Sequence, residues 1–329
     1  MKIWAPLLAV LALVIIAWLG AGVFEWTSLF GIIIPYTAFA ILVLGFIYRV
    51  IKWAQSPVPF RIPTTCGQQE SLPWIKQDKI ENPSKTWEVV GRMALEILFF
   101  RSLFRNTQTE KREDKLGFGS SKWLWLGSLV FHWSMLIIVL RHLRYFLYPV
   151  PAFVQGLEKL DGFLQVGVPV LYLTDVFVVL GITYLFLRRV VIPQVKYISL
   201  AADYFPLFLL LGIATSGILM RYGLKVDIAS LKDFAMSLVT FKPQVIPEIG
   251  TIFYVHLFLV SSLVAYFPWS KLMHAGGIFM SPTRNLANNS RAVRHINPWN
   301  YEVKTHTYEE YEDEFREKMR KVGLPLERE

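Results

Sequence analysis

A single cysteine, Cys66, occurs in 329 residues. Covalent c-type haem needs a CxxCH run and an iron–sulfur cluster needs several thiolates, so both are excluded, as is an internal disulfide. Cys66 reads as a plain loop residue. HExxH and clustered carboxylates are also missing, which removes the usual frames of an intramembrane metalloenzyme. No internal repeat is evident. A transporter or channel, the competing reading for polar residues inside a membrane, calls for inverted repeats or broken helices, and neither is seen. Charged residues are 18% of the chain, too few for a soluble domain of this hydrophobicity.

Apolar length takes their place. Hydrophobic residues make up 54% of the chain, with 11 Trp, and the mean hydropathy is +0.41. These values describe an integral membrane protein. A formal charge of +9 suggests nucleic acid in a soluble protein. Here the cations lie in loops, where they set topology and meet anionic lipid headgroups, so no nucleic-acid partner is expected.

The expected fold is all-α, an integral membrane bundle of about six transmembrane helices. The spans are residues 3–24, 30–51, 122–148, 168–191, 201–221 and about 248–272. The first is read as a retained helix over a signal peptide. Residues 1–51 form an N-terminal helix pair and 52–121 a polar loop. Residues 122–274 form the four-helix core and 275–329 a tail. Within the loop, Trp87–Arg105 has apolar residues at helical spacing with basic residues between them. It predicts an amphipathic helix, lying on the membrane or docking a soluble partner. The run GIATSG at 212–217 marks close helix packing or, alternatively, room for a porphyrin. Tyr308–Lys321 predicts a short charged helix, and the tail suits docking to a protein.

Two spans carry chemistry. Lys122–Tyr148 holds His132 and His142, and the sixth span holds His256 with His274 just past it. An ionisable group in a spanning helix is a functional candidate by default. Ten residues give about 15 Å of rise and put the first two rings at different depths. Eighteen residues are five turns, about 27 Å, which puts the second two on one face. Two antiparallel helices pair them crosswise, His142 with His256 and His132 with His274, each pair clamping a haem iron. The rises disagree, and helix tilt and a kink at Pro268 are expected to absorb the difference. His295 and His306 read as surface residues. Arg141, Arg144 and Arg221 gather at the His142 end, as propionate partners or as snorkelling side chains. Asp175, inside the fourth span, suits acceptance of a quinol proton or a bond to a neighbouring helix. Lys159, Glu158 and Asp161 in the next loop are weaker candidates for that site.

The spacing His-x9-His on one span and His-x17-His on a later one resembles the di-haem cytochrome b (gamma) subunit of respiratory nitrate reductases, over residues 122–274. The extra N-terminal span, the long loop and the tail SPTRN…RHINPWN are closer to the membrane cytochrome b subunits of Dsr complexes and their heterodisulfide-reductase-like relatives, linked to sulfite reduction. The resemblance implies two haem b groups on the four histidines and menaquinol oxidation near His142 and His256. It also implies electron delivery to a cytoplasmic iron–sulfur subunit, within a complex that has further membrane and extracytoplasmic subunits.

Charge sets the orientation. With both termini inside, the inner segments hold 26 Lys/Arg and the outer loops 4, so a multi-pass protein of the cytoplasmic membrane is expected with N- and C-termini cytoplasmic. A reporter fused after residue 329 or inserted near Glu110 is expected to read cytoplasmic, and one near Gly156 external. An external C-terminus overturns the charge argument.

Overall fold

The computed structural model describes residues 2–56, 67–112, 114–165, 167, 169–246, 249–291, 302 and 304–328. Cys66, His295 and Trp299 lie outside them.

The chain is mostly helical. Helix α1 (Trp4–Trp18) runs on through a π turn at Leu19–Val23. A second π turn at Leu29–Ile33 leads into α2 (Ile34–Ala54). Pro35 sits where the π turn passes into α2, and its fixed φ suits the helix. Helices α3 (Thr86–Phe99) and α4 (Arg101–Arg105) precede a hairpin of β1 (Thr107–Arg112) and β2 (Lys115–Ser120). That antiparallel pair, with Thr107 opposite Ser120, is the departure from the all-α expectation among the described residues. Then come α5 (Lys122–Phe146), α6 (Ala152–Asp161), α7 (Leu173–Val191), α8 (Pro193–Ile198) and α9 (Ala201–Ile218), the last continued by a π turn at Leu219–Gly223. Helices α10 (Ile228–Val239), α11 (Thr251–Tyr266), α12 (His274–Gly277) and α13 (Tyr308–Lys321) complete the order.

Five segments are long and apolar enough to cross a membrane: Trp4–Val23, Leu29–Ala54, Lys122–Phe146, Ala201–Gly223 and Thr251–Trp269. Helix α7, expected as a sixth, has 19 residues and carries Asp175, Arg188 and Arg189 near its ends. It packs on α5 and α9 within the bundle. One core joins α1, α9, α10 and α11 around Leu209, Phe234 and Leu259; a smaller one joins α7 to α9 around Val178, Ile182 and Leu210.

Two sequence expectations are corrected. Trp87–Arg105 is not one helix, because Phe100 takes a left-handed conformation (φ 50, ψ 47) and ends α3. Its charged and apolar sides are separate. Glu88, Arg92 and Glu96 are buried, while Trp87, Val90 and Phe99 are exposed. The charged side chains have local tasks: Glu88 accepts the N–H groups of Ser84 (2.8 Å) and Lys85 (3.3 Å) at the start of α3. Glu96 accepts from Ser102 across the break. Helix α11, moreover, does not reach His274 as five continuous turns. It stops at Tyr266, turns tightly through Phe267–Trp269, extends at Ser270 (φ −110, ψ 174) and re-forms a turn before His274. Pro268 lacks the N–H that a continuing helix needs, so the expected kink is a full break.

The loop and the tail are sewn together. Asn288 N–H donates to Pro83 O (2.6 Å) and its Nδ2 to Asn82 Oδ1 (2.9 Å), with both asparagines fully buried. Further on, the Glu312 carboxylate of α13 accepts the backbone N–H groups of Glu327 (2.7 Å) and Arg328 (3.0 Å). These bonds hold its pKa below the usual carboxylate range.

Two outcomes follow from this packing. A Cβ on Gly45 of α2 would meet Pro268 Cβ at 2.7 Å. Gly45→Val is therefore expected to displace the Phe267–Trp269 turn and destabilise the protein by about 1–3 kcal/mol, the usual cost of overpacking, read as a lower thermal midpoint in detergent. Because the Glu312 pKa is depressed on folding, its contribution is present above the ordinary glutamate pKa and lost as pH falls below it. Acidification through that range should release residues 322–328 from α13, read by amide exchange, and Glu312→Gln should release them at neutral pH.

Candidate functional site

An imidazole in an apolar helix has two nitrogens to satisfy, and all four core histidines satisfy Nδ1 in the same way. His132 Nδ1–H donates to Ser128 O (2.7 Å), His142 to Ile138 O (2.7 Å) and His274 to Lys271 O (2.8 Å). A carbonyl only accepts, so Nδ1 carries the proton in each. His256 Nδ1 meets Ser216 Oγ at 2.9 Å, and that hydroxyl directs its own hydrogen at Gly212 O (2.8 Å) or Ile213 O (3.0 Å). Ser216 therefore accepts from His256 as well. Every Nε2 keeps its lone pair, and no hydrogen bond to an Nε2 is made among the described residues. This is the tautomer that a metal-ligating histidine adopts.

One of the two expected pairs is a ring contact. His132 and His274 have centroids 6.0 Å apart with planes at 83°. A metal–imidazole bond is about 2 Å and the ring centre lies about 1 Å beyond the nitrogen, so two imidazoles that would share one metal ion would stand about 6 Å apart. His142 is exposed at the surface of the bundle. Helices α5 and α11, which carry His132, His142 and His256, are not each other's main neighbours: α5 packs on α7, and α11 on α2, α9 and α1. The residues thus fit a planar group held between two imidazoles. Groups of three or more His, Cys, Asp or Glu able to hold a bare metal ion are absent among the described residues.

The break after α11 reconciles the two rises. A continuous helix would carry His274 about 27 Å past His256, against about 15 Å between the rings of α5. The extended Ser270 and the tight turns let His274 sit back against His132. The small-residue run of α9 is also explained. Ser216 orients His256, and a Cβ on Gly217 would lie 3.3 Å from His256 Cε1, so glycine there admits the ring.

The basic residues at the His142 end are mostly committed to carboxylates. Arg141, only 7% exposed, pairs with Asp161 of α6, donates to Thr174 Oγ1 (3.2 Å) and reaches Asp175 Oδ1 at 3.4 Å. Its guanidinium lies 3.5 Å from the centroid of Tyr172. Asp161 also accepts Thr174 N–H (2.9 Å) and Oγ1–H (2.6 Å), capping α7 from another helix. Arg144 pairs with Glu158 at 2.8 Å. Arg221 is the exception: it donates to Val170 O (3.2 Å), lies 4.1 Å from the Tyr172 centroid, and keeps a buried Nε with no partner among the described residues. Of the three arginines, Arg221 has most to offer an incoming anion. Asp175 Oδ2 accepts the Tyr222 hydroxyl at 2.7 Å. Lys159 stands exposed on α6, outside this network, and His306 is exposed beside Glu310.

Sequence reading missed the Asp161–Arg141 pair, Tyr172, Tyr222 and Ser216. Asp161 was visible only as a loop acid, since its partner is 20 residues away. Tyr222 directly follows Arg221, and Ser216 lay in a run read for its size and not for its hydroxyl.

Removing Asp161 is expected to be costly. Deleting one partner of a buried ion pair leaves a bare charge and costs about 3–5 kcal/mol. Asp161→Ala should lower the thermal midpoint markedly, and Lys159→Ala should leave it unchanged.

Comparison with known proteins was made on this geometry. The family described as "Nitrate reductase gamma subunit" matches residues 85–295. Over 278 residues the chain is 48% identical to a protein of Archaeoglobus fulgidus named "Hdr-like menaquinol oxidoreductase cytochrome b-like subunit", covering 82% of this chain and 83% of that one. A protein of the same name from Archaeoglobus profundus is 43% identical over 278 residues, covering 81% of each.

Proposed function

The chain belongs to the nitrate reductase gamma subunit family and is a mostly helical membrane protein; from that premise we propose that it is the di-haem b subunit of a menaquinol-oxidising complex. The observation that carries this reading is the set of four imidazoles with Nδ1 bonded and Nε2 free, two of them 6.0 Å apart. His142 with His256, and His132 with His274, would hold the two haems. Bound haem would supply one-electron carriers at two depths of the membrane.

The residues of this chain do the rest. Quinol loses a proton with each electron. Asp175, beside Tyr222 and Arg141 at the His142 end, is the proton acceptor in this reading. A base near a lipid-facing substrate works best when its proton affinity is close to the operating pH. Arg221 offers its unpartnered Nε to a propionate, with Arg141 and Arg144 as neighbouring cations. Lys159 marks the solvent rim of α6, the lid of the site. The charge bias in the loops supports the His142 end as the outer one, with both termini cytoplasmic.

On the inner side, α3, α4, the hairpin and the sewn-on tail offer a surface for a cytoplasmic iron–sulfur partner. The names of the two archaeal proteins support a heterodisulfide-reductase-like partner, and the tail supports a Dsr-type complex active in sulfur or sulfite respiration, with further membrane and extracytoplasmic subunits.

Replacing any one of His132, His142, His256 or His274 with alanine should lose about one haem per chain, because an iron keeps only one strong axial ligand. His306→Ala should lose none. Full haem content in any of the four variants rejects the assignment. Asp175→Asn should slow haem reduction by quinol at least several-fold, with both haems retained and dithionite reduction unchanged. Reduction at the wild-type rate would remove Asp175 from the mechanism.

A further inference from the structure

Phe100 is a bulky residue in a conformation that favours glycine. Its φ of 50° and ψ of 47° are left-handed, where a side chain crowds the following carbonyl and residues other than glycine or asparagine are uncommon. The position is the first past the end of α3, where glycine is the common choice. A strained residue persists when its surroundings require it, and such residues gather at functional sites.

The surroundings of Phe100 are unusually determined. On one side, Trp133 Nε1 donates to Leu98 O (2.9 Å) and Trp125 Nε1 to Phe99 O (2.7 Å). Two indoles of α5 thus hold the last carbonyls of α3 immediately before the break. On the other side, the Glu96 carboxylate binds Ser102 N–H (3.2 Å) and its hydroxyl, tying the first turn of α4 to the last turn of α3. Phe100 N–H donates to Glu96 O (3.2 Å) and Phe100 O accepts from Phe104 N–H (3.0 Å). The ring clamped in this way meets His132 edge to face, with centroids 5.0 Å apart and planes at 81°. Phe131, from the helix of His132 itself, meets the same imidazole at 4.9 Å and 76°. With Nδ1 fixed by Ser128 O, the two phenyl rings restrict rotation of the imidazole, so that Nε2 keeps its aim. Phe241 is also left-handed (φ 55), but it is 80% exposed in a loop and touches no histidine among the described contacts.

We propose that Phe100 is a positioning residue for His132, kept in a strained conformation because its ring fixes that imidazole. The inference rests on the reading of His132 as an axial ligand. It gives the α3–α4 break a task in the site: the segment next to the proposed partner surface bears directly on the inner ligand.

Glycine separates this from a capping role. If Phe100 only ends α3, Phe100→Gly relieves the backbone strain and costs the site nothing. If the ring positions His132, the same variant keeps or raises the thermal stability of the purified, haem-loaded protein while the inner site loosens. The haem lost in His132→Ala should then pass to excess apomyoglobin at least several-fold faster. Its midpoint should also shift in a redox titration while that of the other haem stays in place. Phe100→Leu, which keeps apolar bulk, should restore most of the retention. Unchanged release and midpoint in Phe100→Gly overturn the inference. Should Phe100→Gly fail to fold, Phe100→Ala and Phe100→Leu are compared in the same two measurements, and equal behaviour in both overturns it as well. Full haem content in His132→Ala defeats the ligand reading itself and not the role of Phe100.

Discussion

A neutral imidazole cannot lie in an apolar helix with both nitrogens unsatisfied. In this bundle each of four rings commits Nδ1 to an acceptor close by, a carbonyl three or four residues earlier or the hydroxyl of Ser216. That one commitment settles the tautomer, turns Nε2 outward from its own helix and leaves it in need of a second partner. The remaining architecture answers that need. Helices α5 and α11 are not each other's main neighbours, α9 brings Gly217 and Ser216 up to His256, and α11 breaks so that His274 returns to His132.

The same economy of charge governs the end of the bundle near His142. Arginine inside a helical bundle is costly unless paired, and Arg141 and Arg144 meet Asp161, Asp175 and Glu158. Pairing makes the cluster tolerable, and it also ties α6 to α5 and to the start of α7. Tyr172 accepts two guanidinium groups against its ring, a cation–π arrangement favoured where water is scarce. Asp175 keeps the weakest hold on Arg141 and a short bond from Tyr222, which leaves it the carboxylate of the cluster least bound to a cation.

At the opposite end the polar loop and the tail, far apart in the chain, form one cap through Asn82 and Asn288. The cap bears on the site through α3, whose end is held by Trp125 and Trp133 and whose terminal residue touches His132. The proposed partner surface thus adjoins a proposed metal ligand, with no long chain of side chains between them.

Much of this was legible in the linear chain. Five of the six expected spans follow from composition and length, because hydrocarbon admits only helices with satisfied backbones. The His132–His274 pair was expected from histidines placed on two spans, although continuous helical rise alone overshoots it. The tertiary structure alone decided the rest. Periodicity is silent about which face of α3 points inward, and here the charged face does, since Glu88 and Glu96 bind nearby backbone N–H groups. Pro268 announced a disturbance but not its size, because a proline can kink a helix or end it according to what packs against it, here Gly45. The partners of Arg141 lie 20 and 34 residues away, and no local pattern ties residues on three different helices. Spacing along one helix is a property of the backbone and can be counted in advance, whereas pairing between helices depends on how the whole bundle closes.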